Sequence, residues 1–266
     1  MKSYILVLII MFLVSSAGVA KEGFIFYYDF NDETIGKPPS DPWRPTAVGI
    51  IEVVDFPSKA NRSVKITDQG NGAGMTLILD NLLKGKTVSL EFEWMQESMA
   101  GSGVEIFYVL SQKHPDDWSG VCVKSEAGSF QYNDSGNWVD GDKIENGVWH
   151  DIKYVMYLDK NRYDFYWDTK QIAKNVGFRK SEGIEGIDKF NVANVGDGGT
   201  TFVMYFDDIM LYEGTVKPLA VEPRSKLTTT WGRIKDSVSQ ETHGKYPDHR
   251  ANKFEKGSLS RLKFLR

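Results

Sequence analysis

The chain has 266 residues, 41% of them hydrophobic, a single cysteine and a net charge of −4 at neutral pH. That length supports a large single-core domain, so folding requires no disulfide framework, and Cys122 has no partner within the chain. The charge is uneven: residues 21–222 carry 20 basic and 32 acidic side chains, a balance of −12, whereas residues 223–266 carry 11 and 4, a balance of +7. An acidic body repels a phosphate backbone, which argues against nucleic-acid binding by the folded part.

In chain order, Lys2, an apolar run over residues 4–14 and the small residues Ser15 to Ala20 predict a signal peptide over residues 1–20. The run is shorter than the ~20 residues a membrane span needs, and no later stretch is apolar enough, so the sequence predicts a secreted or periplasmic protein with no transmembrane span. Tyr28-Asp29-Phe30-Asn31-Asp32 then alternates aromatic and polar residues at the period of a strand with one wet face. Further strands are predicted at 50–55, 63–67, 75–79, 87–96, 104–111, 121–125, 129–132, 149–158, 162–167, 189–195 and 201–212, separated by turns rich in Gly, Asn and Asp. No helix-period segment interrupts them, which favours a sandwich or jelly roll over any α/β fold. Within this series the segments 149–158 and 162–167 form a hairpin, and a turn at Asp168-Thr169-Lys170 leads into Gln171-Ile172-Ala173. After Gly214 the pattern stops. Residues 216–224 contain Pro218 and Pro223 and read as a linker. Leu227, Trp231, Ile234 and Val238 form one stripe of a short amphipathic helix, and residues 240–266 are polar, basic and predicted to be disordered.

The opening D-F-N-D-x-x-x-G with Trp43, the W-H-x-I-K hairpin from Trp149 and the closing F-D-D-I-x-L-Y from Phe206 to Tyr212 resemble the concanavalin A-like lectin/glucanase superfamily, with its laminin-G-like jelly rolls. The resemblance covers about residues 24–214. It implies an all-β, two-sheet antiparallel jelly-roll sandwich whose first and last strands pair edge to edge. Thr169 stands where such domains usually carry Gly. The implied organisation is a signal peptide (1–20), a jelly-roll domain (21–214) and a linker with a short amphipathic segment and basic tail (215–266). The superfamily holds lectins, sugar-binding modules, glycosidases and lyases alike, so the resemblance implies fold and leaves activity open.

It also implies a structural Ca²⁺ on the convex side, held by Asp207 and by backbone carbonyls near the amino-terminal strand, with Asp29 close by. The alternative is that both aspartates are solvated edge carboxylates. Glycoside hydrolysis needs two carboxylates across the scissile bond, and Glu91-Phe92-Glu93-Trp94-Met95-Gln96-Glu97 is similar to the laminarinase-like E-x-D-x-x-E only in part. The segment matches the strand before the catalytic one, and the following strand then supplies only Glu105. Alternation of charge on a wet face accounts for Glu91, Glu93 and Glu105, which are the acids available to a hydrolase.

For sugar stacking, Trp118 and Trp138 are assigned to polar loops, with Tyr132 and Asn137 beside the latter, whereas Trp94, Trp149 and Trp167 read as core or face-covering residues. Cys122, between Val121 and Val123, reads as a small core residue. The functional reading is a secreted, non-catalytic carbohydrate-binding or adhesion-type module for a polysaccharide or glycan. Its alternatives are a laminarinase-like glycoside hydrolase and an interaction protein that contacts a cell surface through its basic tail.

Overall fold

The computed structural model describes residues 23–58, 61–101, 103–110, 119–182, 184–195 and 199–219. The predicted signal peptide, the amphipathic stripe, the basic tail and Trp118 lie outside the described residues.

Fifteen strands and no helix are present among the described residues: β1 (Phe24–Tyr28), β2 (Trp43–Pro45), β3 (Ile50–Ser58), β4 (Asn61–Gln69), β5 (Met75–Leu83), β6 (Thr87–Ala100), β7 (Val104–Leu110), β8 (Val121–Glu126), β9 (Ser129–Asp134), β10 (Asn137–Lys143), β11 (Trp149–Tyr157), β12 (Arg162–Trp167), β13 (Lys170–Gly177), β14 (Ile187–Val195) and β15 (Thr201–Glu213). No helix there is long and apolar enough to cross a membrane. The strands form two antiparallel sheets. One runs β13-β12-β11-β6-β15-β4-β3, with β1 added beside β15, and the other runs β10-β9-β8-β7-β14-β5-β2. The expected pairing of first and last strands is present, with Phe24 opposite Tyr212 and Tyr28 opposite Ile209.

Alternation along each strand decides what is buried. In β6, Leu90, Phe92 and Trp94 enter the core while Glu91 and Glu93 face the other way. The two sheets meet through aromatic pairs: Phe92 on β6 stacks on Phe107 of β7 at 4.8 Å, and Phe130 on β9 stacks on Trp167 of β12 at 4.1 Å. Rings at these distances contribute attraction beyond their area burial, roughly 0.5–1.5 kcal/mol each. Trp94 and Trp167 are core residues as expected. Trp149 is on the opposite face, half-buried against Phe56 and Tyr205.

The structure corrects one assignment. Trp138 is in β10 and not in a loop, because Ser135 and Gly136, both at positive φ (53° and 94°), complete a tight hairpin between β9 and β10. Positive φ at two successive residues matches the right-handed twist of the flanking strands, so two residues make the turn and Asn137-Trp138 pair back onto Asp134 and Asn133.

Candidate functional site

The outer face of the larger sheet carries a groove of about 470 Å³, lined by side chains of β6, β11, β12 and β15 and by Thr215 and Lys217 just beyond. Its floor consists of cross-strand rows. Asp151 on β11 is opposite Glu93 on β6, and Glu93 is opposite Asp207 on β15. In the next row Tyr166, Lys153, Glu91, Met210 and Tyr27 follow one another across β12, β11, β6, β15 and β1.

Between these rows β15 spends one residue more than β6: Asp207 pairs with Glu93 but Met210 pairs with Glu91. The extra residue is a β-bulge, with Asp208 at φ 47°, and it gives the two adjacent aspartates opposite fates. Asp208 lines the groove. Asp207 is fully buried, its Oδ2 accepting from Asn61 Nδ2 at 2.9 Å and its Oδ1 from the Asp208 N–H at 2.8 Å. Burial pushes the Asp207 carboxyl up to about 8, with the hydrogen bond from Asp208 opposing the shift.

Groove chemistry is dominated by carboxylates and phenols. Glu93 holds its proton above the usual carboxylate range, first because it is half-buried and then because Asp208 and Asp151 repel its charge, with Lys217 opposing. Glu91 is neutralised locally: Lys153 Nζ approaches it at 2.8 Å and Tyr212 donates to it, while the same ammonium donates to Tyr212 Oη and Thr215 O, each at 2.9 Å. Tyr27 reaches two edge carboxylates, Asp208 at 3.1 Å and Asp29 at 3.2 Å. At the opposite side Asp164 accepts from Tyr157 Oη at 3.0 Å and from the Asn175 N–H at 2.6 Å. Tyr157 and Tyr166 present partly exposed rings to the groove.

The residues singled out from sequence fall in three places. Glu91 and Glu93 share the groove floor and Asp29 accepts from Tyr27 on the neighbouring edge strand, but Glu105 is on β7 in the other sheet and cannot converge with them. Tyr132 and Trp138 are on opposite faces of one hairpin: Tyr132 packs against the main core, while Trp138 covers Tyr108 and Cys122 and carries Lys124 Nζ 4.4 Å from its ring centre. Asn137 is exposed, its amide 3.4 Å from Asp134 O. Cys122 is buried, and burial raises its thiol, so it has none of the exposed thiolate character that reactivity needs. Asp151, Asp208, Lys153 and Tyr166 were not singled out. Their signal is present in the polar positions of H-D-I-K-Y, Y-D-F-Y and F-D-D-I-M, but only the strand order places three distant segments side by side.

The oxygens near the implied calcium position already have protein partners. Both Asp207 oxygens are engaged by nitrogen donors, and the carbonyls of the loop after β1, Asn31 O and Glu33 O, accept from Arg62 Nη1 at 2.8 and 2.7 Å. Calcium takes six to eight oxygen ligands, and here the converging oxygens accept from Asn61, Arg62 and the Asp208 N–H.

No protein-family model and no curated protein matches the sequence. Solved structures do match in fold. A sialidase chain superposes with a TM-score of 0.55 at 10% identity over 72% of this chain, which spans 18% of that chain. The cellulose-induced protein Cip1 gives 0.51 at 12% identity, with 73% of this chain and 99% of that one covered. A chain from a structure of endo-acting O-glycanases of the human gut microbiota gives 0.52 at 12% identity, covering 72% and 100%. The fold is a concanavalin A-like sandwich.

Proposed function

We propose that the protein is an exported glycan-binding module whose binding surface is the groove over β6, β11, β12 and β15. The observation that carries this reading is the groove itself, in which partly exposed tyrosine rings stand beside Glu93, Asp151 and Asp208 on rigid strands. Pyranose rings are bound by aromatic faces that cover their C–H patches and by carboxylates that accept from their hydroxyls, and both are supplied here at once. The fold neighbours, described as a sialidase, O-glycanases and a cellulose-induced protein, support a carbohydrate context.

Charge narrows the ligand. Lys153 is engaged by Glu91, which leaves Lys217 as the groove's cation against Glu93, Asp151, Asp164 and Asp208. A neutral or aminated polysaccharide suits that surface, and uronate or sialate polymers are repelled. The test is calorimetric titration with neutral, amino and acidic oligosaccharides of the wild type, Glu93→Gln and Tyr166→Ala. Wild-type binding is expected to weaken roughly tenfold in each variant, the equivalent of ~1.4 kcal/mol. Failure of the wild type to bind any glycan, or unchanged affinity in both variants, overturns the reading.

A hydrolase is the second reading, and one observation favours it: Glu93, whose carboxyl burial pushes above the usual range, is directly opposite Asp151, at the roughly 4.5–5.5 Å Cβ spacing of cross-strand pairs. Release of reducing ends from a bound polysaccharide by the wild type and not by Glu93→Gln would establish it. Binding without release supports the non-catalytic module.

A further inference from the structure

We infer that Arg62, with Asn61 beside it, is a built-in cation that locks the β1, β3, β4 and β15 junction and makes this sandwich independent of divalent metal. The loop after β1 turns two carbonyl oxygens, Asn31 O and Glu33 O, onto a single nitrogen, Arg62 Nη1, at 2.8 and 2.7 Å. Converging carbonyls repel one another unless a positive charge lies between them, and this one is permanent, because a guanidinium stays protonated at any physiological pH. The same residue uses its backbone N–H on Asn31 Oδ1 at 2.9 Å and directs Nε toward Asp55 Oδ1 on β3 at 3.4 Å. Asn61 completes the junction by donating to the buried Asp207 at 2.9 Å.

Two adjacent residues of β4 therefore connect the loop leaving β1, the neighbouring strand β3 and the bulge of β15. The loop is seated independently on β3 as well, through Gly36 N to Val53 O and Val53 N to Lys37 O, both 2.8 Å. Arg62 thus closes a loop whose far end is already fixed, and its Nη1 and Nε donors meet oxygens that a metal would otherwise gather. A side chain is supplied at fixed stoichiometry, so no chelator can remove it.

The experiment is a thermal melt of the full chain with EDTA and with millimolar Ca²⁺, for wild type, Arg62→Ala and Arg62→Lys. The wild-type midpoint is expected to move by less than ~1 °C in either condition. A metal bound only by the native state at a hundred times its dissociation constant would move it by about 5–10 °C for a domain of this size. Arg62→Ala is expected to melt several degrees lower, and Arg62→Lys to lie between, since an ammonium keeps the charge but loses the planar fork. Should Arg62→Ala fail to fold, Arg62→Lys carries the comparison, with a lowered and EDTA-insensitive midpoint expected. A wild type that loses about 5 °C or more in EDTA, or arginine variants that melt like the wild type, overturns the inference.

Discussion

At Asp207, burial raises the folded-state pKa to about 8, against roughly 3.9 for an unfolded aspartate. Between those values the native state keeps a proton that the unfolded chain has released, so stability is greatest at low pH and falls as pH rises through that window. The slope for one such group approaches ~1.4 kcal/mol per pH unit. Denaturant unfolding of the wild type from pH 5 to pH 8 is expected to show this decline. Asp207→Asn, which keeps an acceptor for Asn61 and carries no titrating proton, is expected to flatten it; an unchanged slope would place the titration elsewhere. Single residues were partly legible in the sequence. Asp207 and Glu93 were both marked, one as a cation ligand and one as a wet-face acid, but their coupling was hidden because Glu93, Asp151 and Asp208 become neighbours only when strands from three regions of the chain align. Trp138 was misplaced for a local reason, since a two-residue Ser-Gly turn is shorter than the polar stretch surrounding it.

Among the elements, the β12–β13 hairpin shows a rule obeyed at a cost. Its two turn residues, Asp168 and Thr169, have φ of 48° and 67°, a region that strongly disfavours β-branched side chains. Asp168 offsets part of the strain: one carboxylate oxygen meets His150 Nδ1 at 2.8 Å and the other accepts the Asp151 N–H at 3.0 Å, tying the turn to β11. Thr169 is β-branched at a φ of 67°, and Thr169→Gly is expected to stabilise the protein by about 1 kcal/mol, read as a raised denaturant midpoint at constant slope. A lowered midpoint would show that the threonine side chain supports the turn. Strand existence was legible here because alternation is a local signal. Strand ends were less so: β13 runs on to Gly177 and β14 begins at Ile187, where edge pairing and not composition decides the boundary.

For the whole molecule, the described core closes between Phe24 and Glu213 through strands whose partners all lie within that span. A chain ending at Glu222 is therefore expected to keep a cooperative melt with its midpoint within about 2 °C of the full-length protein, less than ~1 kcal/mol for a domain this size. Precipitation or a broad, non-cooperative transition would show that the basic tail contributes to folding. The two-sheet architecture was legible from the number and spacing of the strands. The binding face was not, because alternation gives every strand a wet side and only sheet order shows which wet sides adjoin.

The pairing of β1 with β15 also has a mechanical consequence. The two strands run antiparallel, so the entry to the sandwich at Phe24 sits directly beside its exit at Tyr212. A load applied across those ends would part the ladder one hydrogen bond at a time, like a zip, and would never shear the whole row at once. Tension along the chain would therefore peel β1 away first, exposing the side of β15 from which Tyr27 reaches Asp208, and the groove would lose its edge while the rest of both sheets remained closed.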